Sequence, residues 1–193
     1  MKRLLLAIIL FLMMGCSYTP NEVVIQIDST FSTDKQQLIL DSLNDWILKT
    51  KGGFDVSSIT IVNGITPQTE YNTIKFLNQD IETESAAPHT GIVGLTDPVY
   101  ITVAHPNSHV QAVIRIWDGE SDKIFVSAVR HEIGHALLIN HYCTEAMAQE
   151  SWTACEVVSA NPQPSVMYPS VKSFQVVEPI DVQRFCNFWG CPK

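Results

Sequence analysis

Two histidines and a glutamate lie within five residues, His131-Glu132-Ile133-Gly134-His135, and no other stretch of the chain is better placed to do chemistry. On a helix, residues four apart share a face, so His131 and His135 stand one above the other with Glu132 beside them. Two imidazoles so placed can hold one metal ion, and a neighbouring carboxylate can take the proton of a water bound to it. A catalytic zinc keeps three protein ligands and one open position, and it lowers the pKa of its water to about 7. His141 offers a third nitrogen. The chemistry within reach is metal-assisted hydrolysis, with His131, His135 and His141 as ligands and Glu132 as general base.

The run from His131 to His141, followed downstream by Ser165-Val166-Met167-Tyr168-Pro169, resembles the metzincins. Their signature is His-Glu-x-x-His-x-x-Gly-x-x-His and then a methionine turn. The segment around Met167 is most similar to the matrixin branch. The resemblance implies an α+β domain: a twisted mixed sheet, two long helices, one of them carrying the zinc ligands, and a small C-terminal lobe containing the Met turn. It implies a zinc-dependent endopeptidase with one catalytic Zn2+ and a peptide or protein substrate, and it says nothing of further structural ions. Met167 would form an apolar floor under the metal, a role that suits its soft thioether. Tyr168 and Pro169 would line the specificity pocket, although Val171 stands where that branch often has tyrosine. Branches that use tyrosine as an extra ligand place it two residues after the methionine. Tyr168 follows directly and is not counted as a ligand.

Leu138 stands where the family has glycine. Six further residues of straight helix would carry His141 about 9 Å along the axis from His135 and onto another face. The helix must therefore break. Glycine ends helices because it accepts a left-handed backbone, whereas leucine there costs about 1–2 kcal/mol. Either Leu138 carries that strain, overdetermined by its surroundings, or the break shifts to Asn140, which tolerates positive φ better than most residues.

The length of 193 residues suits one domain, read here as 23–193. The formal charge of −8 falls further when Lys2 and Arg3 leave with a leader, so nucleic acid is not an expected partner. The leader is residues 1–15: two cations and an apolar run from Leu4 to Met14, too short to span a bilayer as a helix. Leu12-Met13-Met14-Gly15-Cys16 resembles the bacterial lipobox, which implies export, cleavage before Cys16 and attachment to the cell envelope through a lipid on that cysteine. A plain secretory leader is the competing reading. Ser17 after the cysteine, in place of aspartate, suits the outer membrane in Gram-negative lipoproteins. The polar tether 16–22 leaves no room for the cysteine-bearing pro-segment that keeps many matrixins latent, so control is expected elsewhere. Oligomeric state is not legible.

Cys143, Cys155, Cys186 and Cys191 remain, an even number for an oxidising compartment. Short loops favour pairing Cys143 with Cys155 and Cys186 with Cys191. The four contain no Cys-x-x-Cys, the usual spacing of a structural zinc site.

Periodicity supplies the framework. Strands are expected at 23–27, 58–62, 91–96, 100–104 and 112–117, with a strand or short helix around 74–77. Leu38, Leu40, Leu43, Trp46, Ile47 and Thr50 recur at helical spacing over 34–51, with Trp46 in the core and Gly52-Gly53 as the stop. The helix bearing His131 begins near Phe125. Residues 142–165, including Trp152, read as irregular. Pro179 opens a last helix that Gly190 ends, and its Pro-x-Asp-Val start resembles the terminal helix of matrixins. His105 and His109 flank Pro106 and read as exposed loop residues, as does His89. The substrate edge strand should lie within 91–104.

Two other readings fit the same residues. In one, a downstream glutamate replaces His141 as third ligand, with Glu145, Glu150 and Glu156 available. In the other, the fold is a binding module without turnover, against which Glu132 argues.

Overall fold

The structure is a computed structural model that describes residues 20, 22–68, 70–79, 94–98 (backbone only), 109–145, 155–158, 165–169 and 175–191. The leader, Cys16, all of the tether but Pro20 and Glu22, the strand expected at 100–104, His89, His105, Glu150, Trp152 and Val171 lie outside the described residues.

Alternation builds the first strand. In β1, Val23–Asp28, the apolar Val23, Ile25 and Ile27 are fully buried and the residues between them are half exposed. The other strands of this sheet are β2 (Val56–Val62), β3 (Thr73–Asn78), β4 (Gly94–Pro98) and β5 (Gln111–Ile116), in the order β2-β1-β3-β5-β4. β1, β2, β3 and β5 run parallel. β4 is antiparallel to β5 and ends the sheet. Parallel neighbours need long crossovers. Helix α1, Thr33–Thr50, provides the one between β1 and β2.

Helix α1 starts at Ser32, whose hydroxyl accepts from the Lys35 amide, and it ends with left-handed backbone at Lys51 and Gly52. Its stripe of Ile39, Leu43 and Trp46 is buried. Helix α2, Asp122–Ala136, packs on α1 and against β4 and β5. Trp46 joins the two helices, since its indole donates to the Arg130 carbonyl at 3.0 Å. The core expected around Trp46 is therefore the seat of the helix that carries His131.

β3 is buried from Thr73 to Leu77, Lys75 included. A buried ammonium has to be paired. Lys75 donates to the Gln68 carbonyl at 2.7 Å and to Glu70 at 2.6 Å, and these contacts hold the Glu70 carboxyl below the usual range. The weakly patterned segment before β3 thus folds back over an internal cation.

The segment after His141 contains regular structure that its polar sequence hides. β6 (His141–Cys143) and β7 (Cys155–Val157) form a two-stranded parallel sheet, joined by the Cys143–Cys155 disulfide with Cα atoms 5.9 Å apart. Three-residue strands are too short for alternation to register. The last helix, α3, Pro179–Trp189, starts with a capping box between Glu178 and Asp181 and ends at Gly190, beside the Cys186–Cys191 disulfide. Both expected cysteine pairings are present. The architecture is α+β.

Candidate metal centre

α2 reaches its last turn with His131 and His135 on one face, and the chain then turns sharply. Leu138 has φ +65, the left-handed region, whereas Asn140 is not among the residues of positive φ. The break lies at Leu138. The Leu138 amide donates to the His135 carbonyl at 2.8 Å and the Ile139 amide to the Gly134 carbonyl at 2.9 Å. These are the two hydrogen bonds of a Schellman ending, with leucine at the position that glycine usually takes. The turn sends the chain back into β6, whose first residue is His141.

The three imidazoles converge. His141 Nε2 is 3.0 Å from Nε2 of His131 and 3.0 Å from Nε2 of His135. Among the described residues these three form the one group of His, Cys, Asp or Glu close enough to share a metal ion. Carbonyl oxygens fix the ring tautomers. His131 Nδ1 donates to the Val166 carbonyl at 2.6 Å, and His135 Nδ1 donates to the Ile139 carbonyl at 2.9 Å. A carbonyl only accepts, so each Nδ1 carries its ring's proton and each Nε2 presents a lone pair. Burial, reinforced by the charge of the other imidazoles, pushes His131 down to about 3 and His135 down to about 4; burial also lowers His141. Neutral imidazole is the form that binds metals. A proton on His141 Nε2 could bridge to one of its two neighbours, not both, and a cation among the three nitrogens answers all the lone pairs at once. The donor set fits a metal ion.

Glu132 is buried beside these ligands, 4 % exposed. Of the glutamates considered as alternative ligands, Glu145 is exposed and Glu156 pairs with Arg184. Neither joins the group formed by the histidines. His109 lies in the loop before β5 as expected, half exposed, with its ring against Tyr71.

Met167 lies in a tight turn whose Tyr168 amide donates to the Ser165 carbonyl at 3.2 Å. The turn is held from several sides. Ser165 Oγ donates to Asp181 at 2.6 Å and accepts from the Met167 amide at 2.9 Å. The Tyr142 amide of β6 donates to the Met167 carbonyl at 2.9 Å, and the Val166 amide donates to Val176. Burial pushes the Asp181 carboxyl up to about 6, against the hydrogen bonds that hold it down. Met167 itself is fully buried under α2, so close that a Cβ added to Gly134 would stand 2.2 Å from its sulfur. Tyr168 and Pro169, expected to line a pocket, follow the turn half exposed.

The contacts from Asp181 to Ser165 and from Trp189 to the Leu137 carbonyl, the latter at 2.8 Å, have no counterpart in the sequence reading. One signal was available. Asp181 shares the buried stripe of α3 with Phe185 and Trp189, where a charged residue requires a partner. No protein-family model matches the chain, and no curated protein matches it in sequence.

Gly134 gives a direct test of this packing. Helix propensity alone favours alanine over glycine by about 1 kcal/mol. Against Met167 and Trp46 the added methyl instead overpacks, so Gly134→Ala should lower stability by about 1–3 kcal/mol in denaturant unfolding and weaken metal binding. A variant as stable as the parent would mean that Met167 does not press on α2.

Proposed function

We propose that the protein is a zinc-dependent endopeptidase of the metzincin type, nearest the matrixin branch, exported and anchored by a lipid on Cys16. The observation that carries the reading is the meeting of three imidazole Nε2 atoms, two of them oriented by backbone carbonyls, with a buried glutamate adjacent to the first. Three imidazole nitrogens suit several transition metals. Zinc is favoured because Glu132 supplies what hydrolysis needs and redox chemistry does not. Ligand nitrogens at about 2.0–2.1 Å in a tetrahedral shell stand about 3.3 Å apart, close to the separations of 3.0 Å around His141.

In this reading His131, His135 and His141 hold the ion, and the carbonyls of Val166 and Ile139 keep two of the rings in the ligating tautomer. Zinc bound there would polarise the scissile carbonyl and make water acidic enough to lose a proton near neutral pH. Glu132 accepts that proton and delivers it to the leaving amine. Among the described residues β4 ends the sheet, and it packs against α2, so its outer edge is where an extended peptide would pair. The half-exposed Tyr168 and Pro169 would then meet a substrate side chain.

The purified protein should contain about one zinc per chain, and Glu132→Gln should keep the metal and the fold while kcat on peptides drops by orders of magnitude. Parental turnover in that variant would remove Glu132 from the mechanism, and a folded parent that binds no metal would remove the reading. The anchor has its own assay: Cys16→Ser should abolish incorporation of labelled fatty acid and leave the membrane fraction depleted of the protein. Lipid labelling that survives the substitution would place the attachment elsewhere.

A further inference from the structure

We infer that Trp189 is a positioning residue for the third metal ligand, and that it acts by withholding the carbonyl that a continued α2 would need. The contact is specific. Trp189 is 2 % exposed, and its indole Nε1 donates to the Leu137 carbonyl at 2.8 Å, a contact between residues 52 apart in sequence. Leu137 is the cap residue of α2, immediately before the left-handed Leu138.

An α-helix pairs the amide of each residue with the carbonyl four positions earlier. If α2 continued through Leu138, the amide of His141 would take the carbonyl of Leu137. In the structure the indole of Trp189 has that acceptor, and the chain turns away into β6. The His141 amide of a continued helix and the Trp189 indole thus compete for one buried oxygen, and the Schellman ending stands where the indole holds it. With glycine at the left-handed position the ending would need no help. With leucine it is strained, and a donor from outside the helix, set at the point of decision, tips the balance. The ending also supplies the Ile139 carbonyl that orients His135, so Trp189 bears on two of the three ligands.

Trp189 is well braced for this task. Its helix is capped by Asp181, which also holds the Met turn through Ser165, and the far end is closed by the Cys186–Cys191 disulfide. The ligand consequence rests on the three-histidine metal reading, whereas the backbone competition does not.

A double-mutant cycle on the full-length protein separates positioning from mere packing. Trp189→Phe, and replacement of Trp189 by benzothienylalanine, which keeps the shape and lacks the N–H, are each made with Leu138 and with Leu138→Gly. The probe is Co(II), whose visible absorption reports coordination number. With Leu138, loss of the N–H should weaken cobalt binding by about tenfold or more, the scale of one buried hydrogen bond, and alter the spectrum. With Leu138→Gly the loss should shrink to about twofold or less. Amide exchange at residues 138–141, measured without metal, should quicken on loss of the N–H with Leu138 and change little with glycine. Equal losses in both backgrounds, or none in either, would overturn the inference. Coupled exchange without cobalt binding in the parent would sustain the backbone competition and sink the metal reading instead.

Discussion

An α-helix cannot by itself aim three histidines at positions 131, 135 and 141 at one point. The first two share a face and the third does not, so the backbone must reverse between His135 and His141. It does so at Leu138, with a left-handed φ that a leucine adopts at a cost of about 1–2 kcal/mol. Several surrounding contacts hold that one residue. The Schellman hydrogen bonds satisfy the carbonyls of Gly134 and His135, Trp189 satisfies that of Leu137, and the Ile139 carbonyl turns inward to orient His135. Against a typical domain stability of 5–15 kcal/mol, a strain of this size is carried readily by a handful of buried hydrogen bonds.

The turn at Met167 solves the matching problem for His131. Its ring needs an acceptor on Nδ1, and the Val166 carbonyl supplies one from a loop far along the chain. That carbonyl is aimed correctly only while the turn stays tight, and the turn is tied to β6 by Tyr142 and to α3 by Ser165 and Asp181. Gly134 lets the turn close up against α2, where a side chain would meet the Met167 sulfur. α3 therefore braces the centre twice, through Asp181 at its start and Trp189 at its end. The two disulfides, each worth about 2–4 kcal/mol by constraining the unfolded chain, secure the short β6–β7 pair and the end of α3.

His131, Glu132 and His135 are legible in the sequence because helical geometry alone puts them together. The framework is legible in part: β1 alternates as its burial does and Trp46 lies in the core as its stripe implies, whereas on α1 Ile39 is buried beside half-buried Leu38 and Leu40, and α2 is buried through successive residues with no period to read. His141 is legible only as a candidate, since its reach depends on a break that could fall at Leu138 or at Asn140. Local propensity favours Asn140, yet the choice is made by hydrogen bonds from Ile139 and by an indole 52 residues from its acceptor, which no local pattern records. Similarly, the burial of Lys75 depends on the loop that surrounds its ammonium, which no local pattern records. β6 and β7 escape notice because strands of three residues carry no period.

A single metal ion shared by His131, His135 and His141 is tested most directly by crystallographic anomalous scattering at the zinc absorption edge. The account predicts one peak per chain, at about 2.0–2.1 Å from Nε2 of His131, His135 and His141, with the His131 and His135 rings still bonded to the carbonyls of Val166 and Ile139. A zinc ligated by a glutamate in place of His141, a peak elsewhere in the molecule, or no peak in crystals grown with zinc would contradict it.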